Sequence, residues 1–99
     1  MKEKIIFKSY GSTVGIARSD YYVPNVRYIN KLTEKLMAKF NNYADIEVCV
    51  NQSENFPNIY NITCYVIFEN SKKLNFYKIT NPQTYQLLKS NKWNYSDLI

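Results

Sequence analysis

The clearest pattern along the chain is an apolar stripe with the spacing of an amphipathic α-helix. It consists of Val26, Ile29, Leu32, Leu36, Met37 and Phe40. Pro24 fits at or just before the first turn, because the N–H that proline lacks is not needed there. Two asparagines follow the stripe, and asparagine tolerates the left-handed backbone that stops a helix. We therefore predict a helix over residues 25–40.

Apolar runs elsewhere predict five β-strands. They cover residues 4–10, 13–17, 46–50, 59–68 and 74–79. Gly11 and Ser12 suit a tight type II′ turn, so the first two runs are expected to form a hairpin. The fourth run is apolar on both faces and is expected to be a central strand. Residues 20–23 are interpreted as a connector before the helix.

The end of the chain is predicted to form a second helix and then to dock on the core. Asn81 and Pro82 open a short helix over residues 83–91, because proline is favoured in a first helical turn. Tyr85 and Leu88 are expected to face inward. The tail that follows is too apolar to remain in solvent. The residues expected to dock are Trp93, Tyr95, Leu98 and Ile99.

The predicted order is ββαβββα in one domain that spans residues 1–99. A chain of this length buries enough surface for one core but not for two. Consecutive strands pair most simply as antiparallel neighbours. The expected fold class is therefore α+β, with an antiparallel sheet of about five strands and two helices, of which one or both pack on a face of the sheet. Leu36 and Phe40 are expected to lie in the core.

Residues 24–91, in the order helix, three strands, helix, resemble a double-stranded-RNA-binding domain. The strand sequence NITCYV at residues 61–66 contributes to this resemblance. Such domains carry a glycine-rich stretch and a basic run that opens the last helix, whereas this chain has TNPQTY at residues 80–85. The resemblance therefore implies a topology, and the RNA contacts of the family are not assigned to residues of this chain.

Composition is typical of a soluble, cytoplasmic protein. Apolar residues make up 45% and charged residues 21% of the chain, which is ordinary for a globular domain. The opening sequence MKEKIIFK lacks the apolar stretch of a secretory signal, and no apolar run approaches the length of a membrane span. The 13 Asn, 11 Lys, 10 Ile and 10 Tyr favour an AT-rich genome, such as a low-GC bacterium or one of its phages or plasmids.

The cysteines are expected to be structural. Cys49 and Cys64 both lie in apolar, strand-like runs, and the chain has no histidine that would complete an ordinary zinc site. We expect two reduced, mostly buried thiols, because free cysteine packs as a small apolar residue in reducing compartments. A disulfide or a reactive thiol is the alternative. No metal and no cofactor are expected.

Catalysis is not predicted. Histidine, the most frequent general base, is absent, and the eight acidic residues are scattered along the sequence. The segment GSTVG at residues 11–15 is a possible phosphate-binding loop, but it lacks the spacing and the Lys-Ser/Thr pair of a P-loop. A hairpin turn explains its glycines better.

Two surface features are candidates for partner binding. The first is a basic ridge on the first helix, formed by Arg27, Lys31, Lys35 and Lys39 at steps of four residues. At about 100° per residue the ridge is expected to lie nearly opposite the apolar stripe. With a net charge of +5, it suits phosphates or an acidic protein surface. A solvated helix face, with Lys31 paired to Glu34, is the alternative.

The second feature is an excess of aromatic residues, with ten Tyr, five Phe and one Trp. Tyr21 and Tyr22 lie in the predicted connector before the first helix, where we expect them to reach solvent. Exposed tyrosines near basic residues suit both protein interfaces and the stacking of nucleic-acid bases. Ordinary amphipathic packing and codon bias are the alternative explanation.

Two functional classes fit these features. In the first, the protein is a non-enzymatic accessory factor of a phage or mobile element. It inhibits a host macromolecular machine by binding a host protein or nucleoprotein complex, as anti-CRISPR and other anti-defence inhibitors do. In the second, it is a nucleic-acid-binding module for RNA or DNA that uses the basic ridge. We expect a monomer or small homo-oligomer in the host cytoplasm, without a membrane partner.

Overall fold

The structure is a computed structural model that describes residues 3–90 and 94–98. The elements in chain order are β1 (Ile5–Val14), β2 (Ile16–Arg18), β3 (Tyr21–Val23), α1 (Val26–Lys39), β4 (Asp45–Gln52), β5 (Ile59–Phe68), α2 (Ser71–Thr80), α3 (Pro82–Lys89) and a 3₁₀ helix (Tyr95–Asp97). The predicted α+β class is confirmed. In the described part of the chain, no helix is long and apolar enough to cross a membrane.

The strands form two antiparallel groups and not the single five-stranded sheet that the sequence predicts. One group is a three-stranded sheet in the order β1-β5-β4, and the other is the ribbon of β2 and β3. The apolar strand β5 is central, as predicted. Its Cys64 lies opposite Ser9 of β1 on one side and Val48 of β4 on the other. Even-numbered side chains of β5 are buried in the core, because successive side chains of a strand point to opposite faces.

The turn predicted at Gly11 and Ser12 is wrong, because β1 continues through both residues while paired with β5. The chain reverses instead at Ser19, whose φ of 51° lies in the left-handed region. The strand predicted over residues 13–17 is therefore divided between β1 and β2, and the connector predicted over residues 20–23 contains β3. Continuous pairing with the central strand outweighs the local turn preference of one Gly-Ser dipeptide.

Helix α1 confirms the strongest pattern in the sequence. The Asn25 side chain caps its start, since Oδ1 accepts a hydrogen bond from the Tyr28 N–H at 3.1 Å. The residues of this segment that are buried in the core are Leu32, Leu36 and Phe40. Val26 and Met37, which the stripe also places inward, are 59% and 55% exposed. The buried face of the helix is therefore narrower than the apolar stripe.

Residues 74–79, predicted as a strand, belong instead to helix α2. Its start is capped by Asn70, whose Oδ1 accepts a hydrogen bond from the Lys73 N–H at 2.9 Å. Tyr77 is buried and Leu74 is partly buried against the same core, so the inward positions follow helical spacing. From α1 onward the order is αββαα. The topology of a double-stranded-RNA-binding domain is therefore not formed.

Helix α3 begins at Pro82 and ends at Lys89, within two residues of the prediction. Leu88 is buried, as expected, and Tyr85 is half-buried. The amines of Lys78 and Lys89 lie 5.2 and 5.5 Å from the centre of the Tyr85 ring, in cation–π geometry. The Lys78 contact joins the end of α2 to α3, whereas the Lys89 contact lies within α3.

The tail docks on the core at Leu98, which is fully buried as predicted. Asn94 forms a parallel bridge to Tyr10 and so runs along the outer edge of β1. The docking predicted for Trp93, Ile99 and the side chain of Tyr95 lies outside the described residues.

An aromatic cluster joins α1, β5 and α2. The ring of Phe40 lies 6.5 Å from that of Phe68 and 5.2 Å from that of Tyr77, and the last two rings are 5.5 Å apart. The Phe40–Phe68 pair is T-shaped, a favoured geometry for aromatic rings. Burial raises the pKa of the Tyr77 hydroxyl. The cluster fixes α2 at the end of the sheet where β5 finishes.

Candidate functional site

The β2–β3 ribbon presents the two tyrosines that the sequence marks as candidates, but on opposite faces. Arg18 lies opposite Tyr21 and Ala17 lies opposite Tyr22, and neighbouring pairs of an antiparallel ribbon alternate in direction. Tyr21 is 59% exposed and Tyr22 is 40% exposed. A single flat partner surface therefore contacts one of these rings and not both.

The ribbon is attached to the end of the main sheet by two hydrogen bonds. The Tyr60 hydroxyl donates to the Tyr22 carbonyl at 2.9 Å, and the Gly15 N–H donates to the Asn58 carbonyl at 2.7 Å. A Cβ atom on Gly15 would lie 2.7 Å from Cε2 of Tyr60 and 2.9 Å from the Val23 carbonyl oxygen. Glycine is required here because the ring approaches the backbone so closely. The ribbon is consequently held in one position.

Exposed apolar side chains are concentrated at this end of the molecule. Of the twelve large apolar side chains that are exposed in the described residues, six lie within residues 14–28. They are Val14, Ile16, Tyr21, Tyr22, Val26 and Tyr28. Phe56, 60% exposed, lies in the loop whose Asn58 binds Gly15. We call the six residues and Phe56 the ribbon surface. Exposed apolar side chains that lie together mark interaction sites. Because Tyr21 and Tyr22 point to opposite faces, one partner contacts only part of this surface, and the part that carries Arg18 is the Tyr21 side.

Both arginines of the chain lie at the ribbon surface. Arg18 faces solvent beside Tyr21, and Arg27 lies in the first turn of α1, four residues after Val23. The chain otherwise carries its positive charge on eleven lysines. Arginine and tyrosine are the residue types enriched at the energetic centres of protein interfaces. In the sequence the two arginines flank Tyr21 and Tyr22, and this proximity is a signal for a binding surface. The prediction from the sequence included Arg27 among the binding residues but not Arg18.

The four residues of the basic ridge, Arg27, Lys31, Lys35 and Lys39, are all exposed. Each step of four residues turns by about 40° around the helix, so the ridge winds through about 120°. Its first member adjoins the ribbon surface. Its last two border a shallow depression with Ala38 and Leu98 of the tail.

The ridge lies to one side of the buried face and not opposite it. The prediction that the ridge lies opposite the buried face depends on Val26 and Met37 being buried. Both side chains are exposed in the structure. The ion pair considered between Lys31 and Glu34 is not formed within residues 3–90 and 94–98. Arg27 lies at the start of α1, four residues after the end of β3, and Lys39 lies at the other end of the helix. The two residues are about 18 Å apart along the helix axis.

The two cysteines differ in environment. Cys64 is fully buried, and burial together with the neighbouring Cys49 thiol raises the pKa of its thiol to about 11. Cys49 is exposed, so the expectation that both are buried is wrong for this residue. The two side chains occupy opposite faces of the sheet, since Val48 and not Cys49 lies opposite Cys64. Both thiols are free.

A second apolar area lies on α2, where the sequence predicted a strand. Phe76 and Ile79 are 59% and 78% exposed, and the ring of Phe76 stacks on that of Tyr43 at 5.9 Å. Lys72 and Asn70 contribute polar groups to the same concave area. It is separate from the ribbon surface and carries neither arginine.

Among residues 3–90 and 94–98, no three cysteine or acidic side chains come together as metal ligands would. Comparison of the chain with models of protein families, with curated proteins and with solved structures finds no match. What the protein does is therefore inferred from the geometry of its own surfaces.

Proposed function

We propose that the protein is a non-enzymatic binding protein that contacts a partner protein through the ribbon surface. The observation that carries this proposal is the concentration of exposed apolar side chains in residues 14–28 together with both arginines. Burying such side chains is the main source of affinity between proteins, whereas leaving them in water contributes nothing to the stability of the free chain. The rigid attachment of the ribbon favours binding, because little ordering is required when the partner arrives.

The biological class that we propose is an inhibitor encoded by a phage or mobile element, acting on a host macromolecular machine in the anti-CRISPR or anti-defence manner. The small size, the composition typical of an AT-rich genome and the lack of histidine support this class. On this proposal the protein works in the host cytoplasm and occludes a surface of its target.

The second candidate is a nucleic-acid-binding module that uses the basic ridge. The four exposed cations, which have no ion-pair partner among the described residues, favour it. Phosphate binding weakens by about 0.7 to 0.9 log units per contact for each tenfold rise in salt, whereas an interface dominated by apolar side chains responds weakly. The two candidates therefore differ in a quantity that is simple to measure.

Affinity capture from a lysate of the source cells, with and without nuclease and across a range of salt, tests the proposal. We expect a captured protein that resists both treatments. Exchange of Lys31 and Lys35 together for Glu should then change recovery only slightly. The matched control is the same change at Lys4 and Lys72, which are exposed elsewhere. Loss of the partner with nuclease, or a selective loss on reversal of the ridge charges, would instead support the nucleic-acid module.

A further inference from the structure

The outer edge of β4 has no partner strand among the described residues. β4 is the last strand in the order β1-β5-β4, so half of its backbone N–H and C=O groups point away from the sheet. The opposite edge, that of β1, is followed by the tail at Asn94. Proteins protect free edges with charged side chains, above all lysine, with proline, with bulges or with short strands. β4 is eight residues long, pairs regularly and contains neither proline nor lysine, and its two charged residues, Asp45 and Glu47, lie on the face of the sheet away from the core.

The flank of α1 above this edge is uncharged. It is formed by Val26, Asn30, Thr33 and Met37. Their spacing of four, three and four residues is that of a helix seam that packs against another helix. Met37 borders the same depression as Ala44 and Ile46, which places this flank on the β4 side. Val26 and Met37 are more than half exposed in a single chain. They are therefore apolar seam positions that no described residue buries.

The basic ridge points away from the β4 edge. On the helix wheel its centre lies about 150° from the centre of the uncharged flank. Another molecule that approaches the edge of β4 therefore meets Val26 and Met37 and avoids most of the positive charge of α1. This separation of charge removes the main obstacle to contact between two copies of a chain whose net charge is +5.

We propose that a second copy of the chain occupies this edge. The two β4 strands pair antiparallel about a two-fold axis, so the two three-stranded sheets join into one of six strands. The α1 helices then lie antiparallel on the same face, with their uncharged flanks toward each other. Such an interface is isologous, because the same surface is used by both copies. It shares only Val26 with the ribbon surface and involves neither arginine, so it goes beyond the proposed function.

The sequence of β4 is self-complementary when Val48 lies opposite its own copy. Ile46 then faces Val50 of the second copy on the helix side of the sheet, which places apolar residues together. On the other side, Glu47 faces Cys49 of the second copy, so no two acids lie directly opposite. If the pairing of the two strands shifted by one residue, the apolar side chains of one copy would lie on the same face as Glu47 and Asn51 of the other copy. Seven facing positions supply about six to eight backbone hydrogen bonds.

Sedimentation velocity across a series of micromolar concentrations tests the proposal. We expect a reversible dimer of about twice the 11.8 kDa of one chain. The Met37→Glu variant should raise the dimer dissociation constant by at least about tenfold, because it places a carboxylate from each copy in the apolar seam, where loss of water penalises the charge. Ile79→Glu is the matched control, since Ile79 is an exposed apolar residue on α2. A wild-type chain that remains monomeric, or equal effects of the two variants, would overturn the proposal.

Disulfide trapping provides a second readout that does not depend on the helix seam. Under mild oxidation the Glu47→Cys variant should form a covalent dimer through the native Cys49 of the second copy, because directly opposed Cβ atoms approach to about 4.5 Å, the upper end of the spacing that a disulfide spans. The Asp45→Cys variant should not, since position 45 faces Asn51 in this register. Cross-linking of both variants to the same extent, or of neither, would contradict the pairing of β4 edges.

Discussion

Truncation of Phe40 tests the aromatic cluster that determines how α2 packs. The ring is fully buried and contacts the rings of Phe68 and Tyr77. Removal of a buried phenylalanine ring costs about 3–5 kcal/mol, from lost apolar burial and the cavity that remains. Because about 1 kcal/mol shifts the melting temperature of a domain of this size by about 4–8 °C, Phe40→Ala should melt at least about 12 °C below the parent.

Two further variants separate ring contacts from burial alone. Phe40→Leu keeps an apolar side chain in the site and loses two aromatic pairs worth about 0.5–1.5 kcal/mol each, so its melting temperature should be intermediate. Phe76→Ala removes a ring that is 59% exposed, and it should cost less than about 1 kcal/mol. The assay is thermal unfolding followed by circular dichroism. A melting temperature of Phe40→Ala within a few degrees of the parent, or equal to that of Phe76→Ala, would refute the cluster.

Four smaller predictions concern the sheet and the ribbon. Ser9→Ala should leave the melting temperature unchanged or raise it, because the buried Ser9 hydroxyl has no hydrogen-bond partner among the described residues; a marked loss in thermal unfolding would contradict this. Gly15→Ala should lower the melting temperature, since the added Cβ would clash with Tyr60, and an unchanged value would show that the ribbon moves freely. A thiol in the unfolded chain ionises near pH 9, whereas the folded pKa of Cys64 is about 11, so the free energy of unfolding should fall as pH rises through this interval. In urea titrations that slope should be smaller for Cys64→Ala than for the parent, and an equal slope would exclude this thiol as the cause. At neutral pH an alkylating reagent should label Cys49 and spare Cys64 until the protein unfolds, and equal labelling of the native protein would contradict the burial.

The elements that the sequence predicted correctly have one dominant period. Helix α1 repeats apolar residues at helical spacing over four turns, and β5 is a long apolar run that only a central strand accommodates. In residues 74–79, by contrast, Leu74, Phe76 and Ile79 satisfy neither period, and β-branched and aromatic residues favoured a strand. The tertiary contact of Tyr77 with the ring cluster decides in favour of a helix.

The arrangement of the strands was less accessible to sequence reasoning. A Gly-Ser dipeptide is a local turn signal, but β1 passes straight through it because ten residues of the strand pair with β5, about fifty positions away. Long-range pairing of this kind leaves no short-range pattern. The short strands β2 and β3 have three residues each, too few for a period to be recognised.

The candidate site was predicted in part. Tyr21, Tyr22 and the four ridge residues are exposed, as expected of binding residues. Their mutual placement depends on the ribbon, and this is why the two tyrosines, neighbours in sequence, face opposite directions. Val14 and Ile16, two apolar members of the ribbon surface, were predicted within a hairpin strand, and the exposure of an apolar residue at a strand end cannot be read from alternation alone.

Partner capture with two matched variants tests the central claim most directly. Tyr21 on the ribbon and Phe76 on α2 are each 59% exposed, so Tyr21→Ser and Phe76→Ser remove comparable aromatic surface at two places. In a nuclease-treated lysate of the source cells, recovery of the partner protein should fall at least about tenfold with Tyr21→Ser, since aromatic anchors contribute about 2 kcal/mol or more to an interface. Recovery should stay at the wild-type level with Phe76→Ser. Unchanged recovery with Tyr21→Ser, or an equal loss with both variants, would contradict the assignment of the ribbon as the binding surface.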